Sequence, residues 1–293
     1  VGRRIYLNRI FIKDIVCLYP DEVSGCIDTN LYLLPREKRK LDRYSQISLA
    51  ISKKIHECNP DFFEHGEDIS VLSATCFGAM NTITDEVARY HDTGLISPVF
   101  ITKILSNMQA AVIAIALQLK GANYTVSTGV NSSCDAVIDG YELIMENREG
   151  RVLVVSSDSC DGEFGAAVHG NYCQDDVKDF GECGAALLLD SQSGNGALGE
   201  ITEIQRGILH QHESIFKRLH IDVEKKEGGS HGIYLRESRK QIIDLPFSSG
   251  SQTIFDIKKG IEYCRDNKEK EFIVYTISKK MIYSAITIKC VPN

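Results

Sequence analysis

The groups best placed to do chemistry in this 293-residue chain fall in one short stretch, Tyr124 to Ala136, which reads Tyr-Thr-Val-Ser-Thr-Gly-Val-Asn-Ser-Ser-Cys-Asp-Ala. Tyr124 to Thr128 has the β-branched and aromatic content of a strand. Ser132 to Asn147 places Val137, Ile138, Tyr141, Leu143, Ile144 and Met145 at helical spacing. A strand running through a tight turn into a helix is a good mount for a nucleophile, and Cys134 is the one thiol near that turn. A thiol at a helix N-terminus ionises more readily, although the neighbouring Asp135 opposes a thiolate. Ser132 and Ser133 do not sit in a Gly-x-Ser-x-Gly elbow and no His partner can be named for them. They read as helix caps, with Asn131 or Ser132 at the N-cap and Asp135 complementing the helix dipole.

Beyond this stretch the candidates thin out. The only histidine after His220 is His231, in Gly228-Gly229-Ser230-His231-Gly232-Ile233, and it reads as an exposed loop residue. His210 and His212 form a His-x-His pair with no third ligand at matching spacing, so a solvated loop suits them better than a metal. The ten cysteines include no Cys-x-x-Cys and sit singly in settings such as Thr75-Cys76-Phe77 and Lys289-Cys290-Val291. That is the pattern of buried free thiols in a reducing cytoplasm.

The elements that position these residues can be read from short β-rich runs and from helical periodicity. Strands are expected at Ile5–Ile12, Ile69–Ala74, Tyr124–Thr128, Arg151–Ser156, Ala185–Leu189, Ile201–Gly207, Phe272–Thr276 and Ala285–Lys289. Helices are expected at Lys40–Glu57, Asn81–Tyr90, Thr102–Leu119, Ser132–Asn147 and Ser251–Asn267. Such alternation implies an α/β protein with helices on both faces of mixed sheets. The helix from Thr102 to Leu119 is apolar around most of its circumference, so it must be covered on all sides, by its own domain or by another chain. From Ile208 to Leu245 the chain is charged and poorly patterned, with Lys225 to Gly229 reading as a mobile loop.

Composition sets outer bounds. An apolar share of 43% with 25% charged residues is that of a soluble globular protein, long enough to bury a core without disulfides. A net charge of −7 without a basic cluster argues against nucleic acid or an anionic membrane as partner. The longest apolar run, Ala110 to Leu117, is too short to span a bilayer. The first nine residues lack the apolar core of a signal peptide, so a cytoplasmic location is expected.

Four segments in order resemble the ketosynthases of the thiolase superfamily. Arg39-Lys40-Leu41-Asp42-Arg43-Tyr44-Ser45-Gln46 is similar to their Arg-x-Asp-Arg-(Tyr/Phe)-Ser-Gln helix start. Ser97-Pro98, then Asn107-Met108-Gln109-Ala110-Ala111 and Lys120-Gly121-Ala122-Asn123, resemble the helix and turn before their active-site elbow. Val126-Ser127-Thr128-Gly129 with Ser132 to Ala136 resembles the elbow itself. Phe180-Gly181-Glu182-Cys183-Gly184-Ala185-Ala186 resembles their Gly-Glu-Gly-Ala-(Ala/Gly) segment, with Cys183 in place of a glycine. The resemblance implies a thiolase-like αβαβα layered fold with a shortened second half. Residues 1–200 would form the ketosynthase-like half and residues 201–293 a reduced C-terminal half.

In that family the elbow carries a nucleophilic Cys, and the matching position here is Val130, which has no atom that can be acylated. The two histidine segments that serve decarboxylation and condensation are missing after Ile204. The resemblance therefore implies a chain length factor: a non-condensing subunit that pairs with an active ketosynthase and shapes its acyl tunnel. It implies an acyl carrier protein bearing malonyl or polyketide chains as the carrier, and no cofactor. By position, Phe100, Ile104, Met108 and Ala111 would form one apolar stripe at the tunnel end, and Val126, Thr128 and Val130 would lie at the subunit interface, where Tyr124–Thr128 pairs across. The alternatives are a short condensing or acyl-transferring enzyme using Cys134 with His231 or an unplaced histidine, and a structural homodimer that binds acyl chains.

Overall fold

Among the described residues there are ten strands, most of them buried along nearly their whole length: β1 (Ile10–Leu18), β2 (Ile69–Ala74), β3 (Asn123–Val126), β4 (Arg151–Ser159), β5 (Glu182–Asp190), β6 (Gly199–Ile208), β7 (His231–Leu235), β8 (Lys240–Ile242), β9 (Glu271–Ile277) and β10 (Ile282–Cys290). They come from a computed structural model that describes residues 9–21, 24–159, 181–192, 196–210, 213–221, 230–242 and 249–291. The strands lie in the order β3-β2-β4-β5-β1-β6-β10-β9-β7-β8. Counted from the start of each half, β1–β5 and β6–β10 follow the same order, 3-2-4-5-1, and so reveal a duplication that no sequence repeat announces. Within the sheet, among the described residues, the halves join where Ile10–Ile12 of β1 pairs with Gly199–Ile201 of β6.

The helices stack these halves into layers. They are α1 (Pro35–Lys38), α2 (Arg43–Cys58), α3 (Met80–Thr93), α4 (Phe100–Ile104), α5 (Met108–Leu117), α6 (Ser132–Met145), α7 (Ile215–Arg218) and α8 (Gln252–Asn267). α6 and α8 share the central core: Val137, Ile138 and Ile144 of α6 and Ile254, Ile257 and Ile261 of α8 pack with one face of β2, β4 and β5 and with β9 and β10. On the far side of the first half, α2 and α5 bury Leu49, Ile51, Ile55 and Ile113 against the alternate residues Val71, Leu153, Val155 and Leu188. Among the described residues the far side of the second half carries α7, whose Ile215 and Phe216 meet Tyr234, Tyr275 and Tyr283. The fold is the thiolase-like αβαβα arrangement with its last layer cut down to one turn of helix.

One strand direction explains that loss. β2 runs parallel to β3 and β4, and parallel neighbours need a long crossover, here residues 75–122 with α3, α4 and α5. β7 runs antiparallel to both β8 and β9, so a hairpin turn at residues 236–239 suffices and no covering helices are made.

Several expectations need correction. The first strand is shifted: β1 extends to Leu18, and residues 5–8 lie outside the described residues. The expected helix from Thr102 to Leu119 is two helices, because Leu105 turns extended (ψ 118°) after α4 and Asn107 starts α5. β7, β8 and α7 occupy the segment read as poorly patterned. His231 is not an exposed loop residue; it is buried in β7. Cys26 and Cys58 are exposed, against the reading of uniformly buried thiols, while Cys17, Cys134, Cys183 and Cys264 are buried and all eight described cysteines are free. His212, Phe180 and the segment Lys225–Gly229 lie outside the described residues. Among the described residues no helix is long and apolar enough to cross a membrane, and no three His, Cys, Asp or Glu groups gather as a metal ion requires.

Candidate functional site

β3 is an edge strand, and the chain leaves it through Thr128 into a tight turn, Gly129–Asn131, that leads straight into α6. Gly129 has φ +73°, the left-handed region that glycine enters without steric cost. Ser132 closes the turn instead of capping the helix. Its hydroxyl accepts from the Thr128 amide at 3.0 Å and lies 2.6 Å from the Gly129 carbonyl and 2.9 Å from that of Thr75. Asn131 occupies the N-cap without a side-chain capping bond and donates to the Ile282 carbonyl at 3.1 Å. The elbow geometry is therefore intact, and its apex residue is Val130, 4% exposed.

Asp135 does more than complement a dipole. Its carboxylate accepts from Thr128 Oγ1 at 2.6 Å and from Ser284 Oγ of β10 at 2.6 Å, and lies 3.5 Å from Arg206 Nε of β6. Arg206 also donates to the Asp135 carbonyl at 2.8 Å and to the Asp139 carboxylate. The elbow helix of the first half is thus tied to two strands of the second.

Cys134 is fully buried. Burial, reinforced by the charge of Asp135, pushes its thiol well above the ordinary cysteine range, and the hydroxyls of Thr253 and Thr276 face it. His231 sits opposite Thr276 in the β7/β9 ladder, so it reaches the same neighbourhood. Its Nδ1 lies 3.3 Å from Asp256 Oδ2, and Asp256 Oδ1 accepts from Gln252 Nε2 at 2.8 Å. Both His231 and Asp256 are closed off from solvent. A thiol that is protonated and sealed does not meet an acyl-thioester.

The segments before the elbow follow a different plan from the one expected. Phe100 and Ile104 stand on α4, and Met108 and Ala111 on α5; all four are half-buried, and the break at 105–107 keeps them from forming one helical stripe. α3 buries none of its residues. Val87, Tyr90, Leu95, Ile96, Ile101 and Ile115 are all more than half exposed, and among the described residues β3 is the last strand of the sheet on this side. In the β2/β3 ladder Val71 N donates to Ala122 O at 2.8 Å and Thr75 N to Val126 O at 3.2 Å. With the parallel register this assigns the backbone of residues 122, 124 and 126 to β2 and turns that of Asn123 and Thr125 outward.

Two of the sequence segments meet in space. Asp42 caps α2 by accepting from the Tyr44 amide at 3.0 Å. Arg43 reaches across to Glu182 of β5, donating from Nη2 to Oε2 at 2.6 Å, and that same Oε2 accepts from the Ile27 amide at 2.7 Å. Two residues on, Gly184 is required because a Cβ there would stand 2.6 Å from Ile47 Cγ2 of α2. Sequence reasoning missed a second polar centre, Asp158. It is buried and accepts from Thr75 Oγ1 at 2.6 Å and from the amides of Phe77 at 3.0 Å and Gly250 at 2.9 Å. Only its position at the end of a buried strand hinted at it.

The elbow, the Arg43–Glu182 pair and the crossover between them fall in the region, residues 22–173 with β5 beyond it, where a family model matches: the model of the β-ketoacyl synthase N-terminal domain covers residues 22–173. The chain belongs to the β-ketoacyl synthase family. Solved structures of similar fold span nearly the whole of it. A chain of the AntDE:AntF assembly, a type II PKS acyl-carrier protein in complex with its ketosynthase bound to the hexaketide, is 14% identical with a TM-score of 0.75, covering 97% of this chain and 99% of that one. A chain of the ishigamide ketosynthase/chain length factor is 13% identical with a TM-score of 0.71, covering 97% and 100%. A chain of the ketosynthase ApeO in complex with its chain length factor ApeC from Xenorhabdus doucetiae is 12% identical with a TM-score of 0.69, covering 99% and 100%. At these identities the likeness establishes the ketosynthase fold. The middle residue of the turn between β3 and α6 is Val130.

Proposed function

We propose that this chain is a catalytically silent, chain length factor-like subunit that pairs with an active ketosynthase in the cytoplasm and shapes its acyl tunnel. The observation that carries the reading is Val130: a fully formed elbow, held by Ser132 and Asp135, presents a side chain that cannot be acylated. Evolution of a new active site elsewhere would leave little reason to keep the turn, its glycine and its tethers. A subunit that must match the shape of a partner ketosynthase has that reason. The apolar surface of α3–α5 beside the free edge of β3 supports a large obligate interface, of the kind that buries on the order of 2,000 Å² or more.

In this reading the division of the chain at residue 200 separates a half that meets the partner from a half that does not. Phe100, Ile104, Met108 and Ala111 end the tunnel from two short helices, and Val126, Thr128 and Val130 line the seam. The growing chain, carried by an acyl carrier protein that docks mainly on the partner, is shielded from water along its length. Co-expression with the partner ketosynthase followed by size-exclusion chromatography tests the pairing. A soluble 1:1 complex that makes product, with neither subunit active alone, is the expected result; a stable, active species of this chain by itself would overturn it.

A further inference from the structure

Two cysteines outside the elbow face one another, and nothing in the proposed function uses them. On α8 the residues Ile254, Ile257, Ile261 and Cys264 recur at helical spacing and all are buried in the central core. On β10 the alternate residues Ile286 and Ile288 face the same core, and the next in that alternation is Cys290, which packs against the cluster at the strand's last residue. Helix period and strand alternation thus aim both side chains into one cluster, where the two thiols interact. Cys264 is 1% exposed, whereas Cys290 is half-buried. The strand end is held by Cys290 N donating to the Lys270 carbonyl at 2.8 Å.

We propose that Cys264 and Cys290 form a peroxide-responsive dithiol, oxidised reversibly to a disulfide that ties α8 to the end of β10. Cys290 is the sulfur an oxidant reaches first, and the bond from the Cys264 thiol lowers its pKa and favours its thiolate. The thiolate attacks one oxygen of hydrogen peroxide, breaking the O–O bond to give a sulfenic acid and a hydroxide, which takes up the proton the thiol released and leaves as water. The Cys264 sulfur then attacks the Cys290 sulfur, the S–O bond breaks, and a second water leaves with the thiol proton. Two thiols supply the two electrons that reduce the peroxide. The location gives the bond a purpose: the disulfide closes the segment between α8 and β10 within the second half, whose described outer layer is the single short helix α7.

The test treats the full chain with a small excess of hydrogen peroxide, blocks remaining thiols and maps peptides by mass spectrometry before and after dithiothreitol. The expected product is a 264–290 cross-link, 2 Da lighter than the dithiol and reversed by the reductant. It should raise the unfolding midpoint by roughly 5 °C. In Cys264→Ser, Cys290 should instead accumulate a dimedone-trappable sulfenic acid; in Cys290→Ser, Cys264 should stay unmodified. Over-oxidation of Cys290 with Cys264 still free in the unaltered chain, or cross-links from either residue to another cysteine such as Cys26 or Cys58, would overturn the proposal.

Discussion

The two halves of the sheet share one strand order and differ in one crossover. In the first half, parallel pairing of β2 with β3 obliges the chain to build residues 75–122 across one face. In the second, antiparallel pairing of β7 with β8 lets residues 236–239 close the same step. The outcome is asymmetric. Among the described residues the first half ends in the edge strand β3 and carries exposed apolar side chains on its crossover, and the second ends in the three-residue strand β8. A strand direction, set by how much chain lies between two strands, thereby decides which half of the molecule has a surface to offer a partner.

That contrast can be broken most severely at the free edge. Thr125→Pro removes an outward amide of β3 and should abolish co-purification with the ketosynthase, while Thr125→Val, which keeps the amide and loses the bonds to Ser73 and Ser106, should retain it. Val126→Pro is the poorer probe, because its amide faces β2 and its loss damages the fold itself. Comparable losses for proline placed in β8, at the opposite edge, would show that the two edges are equivalent and the contrast empty.

A smaller effect separates the ties within a half from the tie between halves. Removing Arg43 leaves Glu182, 5% exposed, without its charge partner, and Arg43→Ala should cost about 3–5 kcal/mol in denaturant unfolding. Arg206 is 38% exposed, so Arg206→Ala should cost only about 1 kcal/mol and leave the first half folded. Equal costs would mean that the joint between halves matters as much as either half.

Within the crossover, Met108→Ala or Ile104→Ala should lengthen the products of the co-expressed pair and Ala111→Phe should shorten them, as read by mass spectrometry. If these residues are core and nothing more, the truncations would only lower stability, by roughly 2–5 kcal/mol, with an unchanged product distribution.

The smallest expected effects are zeros. Because burial raises the Cys134 thiol above its ordinary range, it is protonated at pH 8 and should stay unalkylated in the native chain while Cys26 and Cys58 react. Val130→Cys should not bring condensation to the isolated chain, since a lone thiol lacks the bases that decarboxylation uses.

How legible this was in the sequence depended on how local the cause was. Ile69–Ala74 was read to the residue because it is a continuous apolar run between turn residues. The strand–turn–helix from Tyr124 to Met145 was legible through the resemblance to ketosynthases, carried by the placement of Gly129 and Ser132. β7 was hidden because Gly232 and the charged run after Leu235 look like a loop. Gly232 is in fact a close approach, where a Cβ would stand 2.8 Å from the Tyr275 hydroxyl of the adjacent strand. The break between α4 and α5 has no proline or glycine to announce it, only the weak helix formers Ser106 and Asn107. The buried His231–Asp256 pair, the Asp158 centre and the Arg206 tether join residues 25 to 92 positions apart, or bridge the two halves, and no single-sequence pattern encodes such meetings.

The central claim, that this chain is silent while its partner does the chemistry, is tested most directly by intact mass of the reconstituted pair after incubation with an acyl-thioester. The acyl adduct should appear on the ketosynthase alone, and this chain should keep its unmodified mass. An adduct on this chain, lost in Cys134→Ala, would contradict the account.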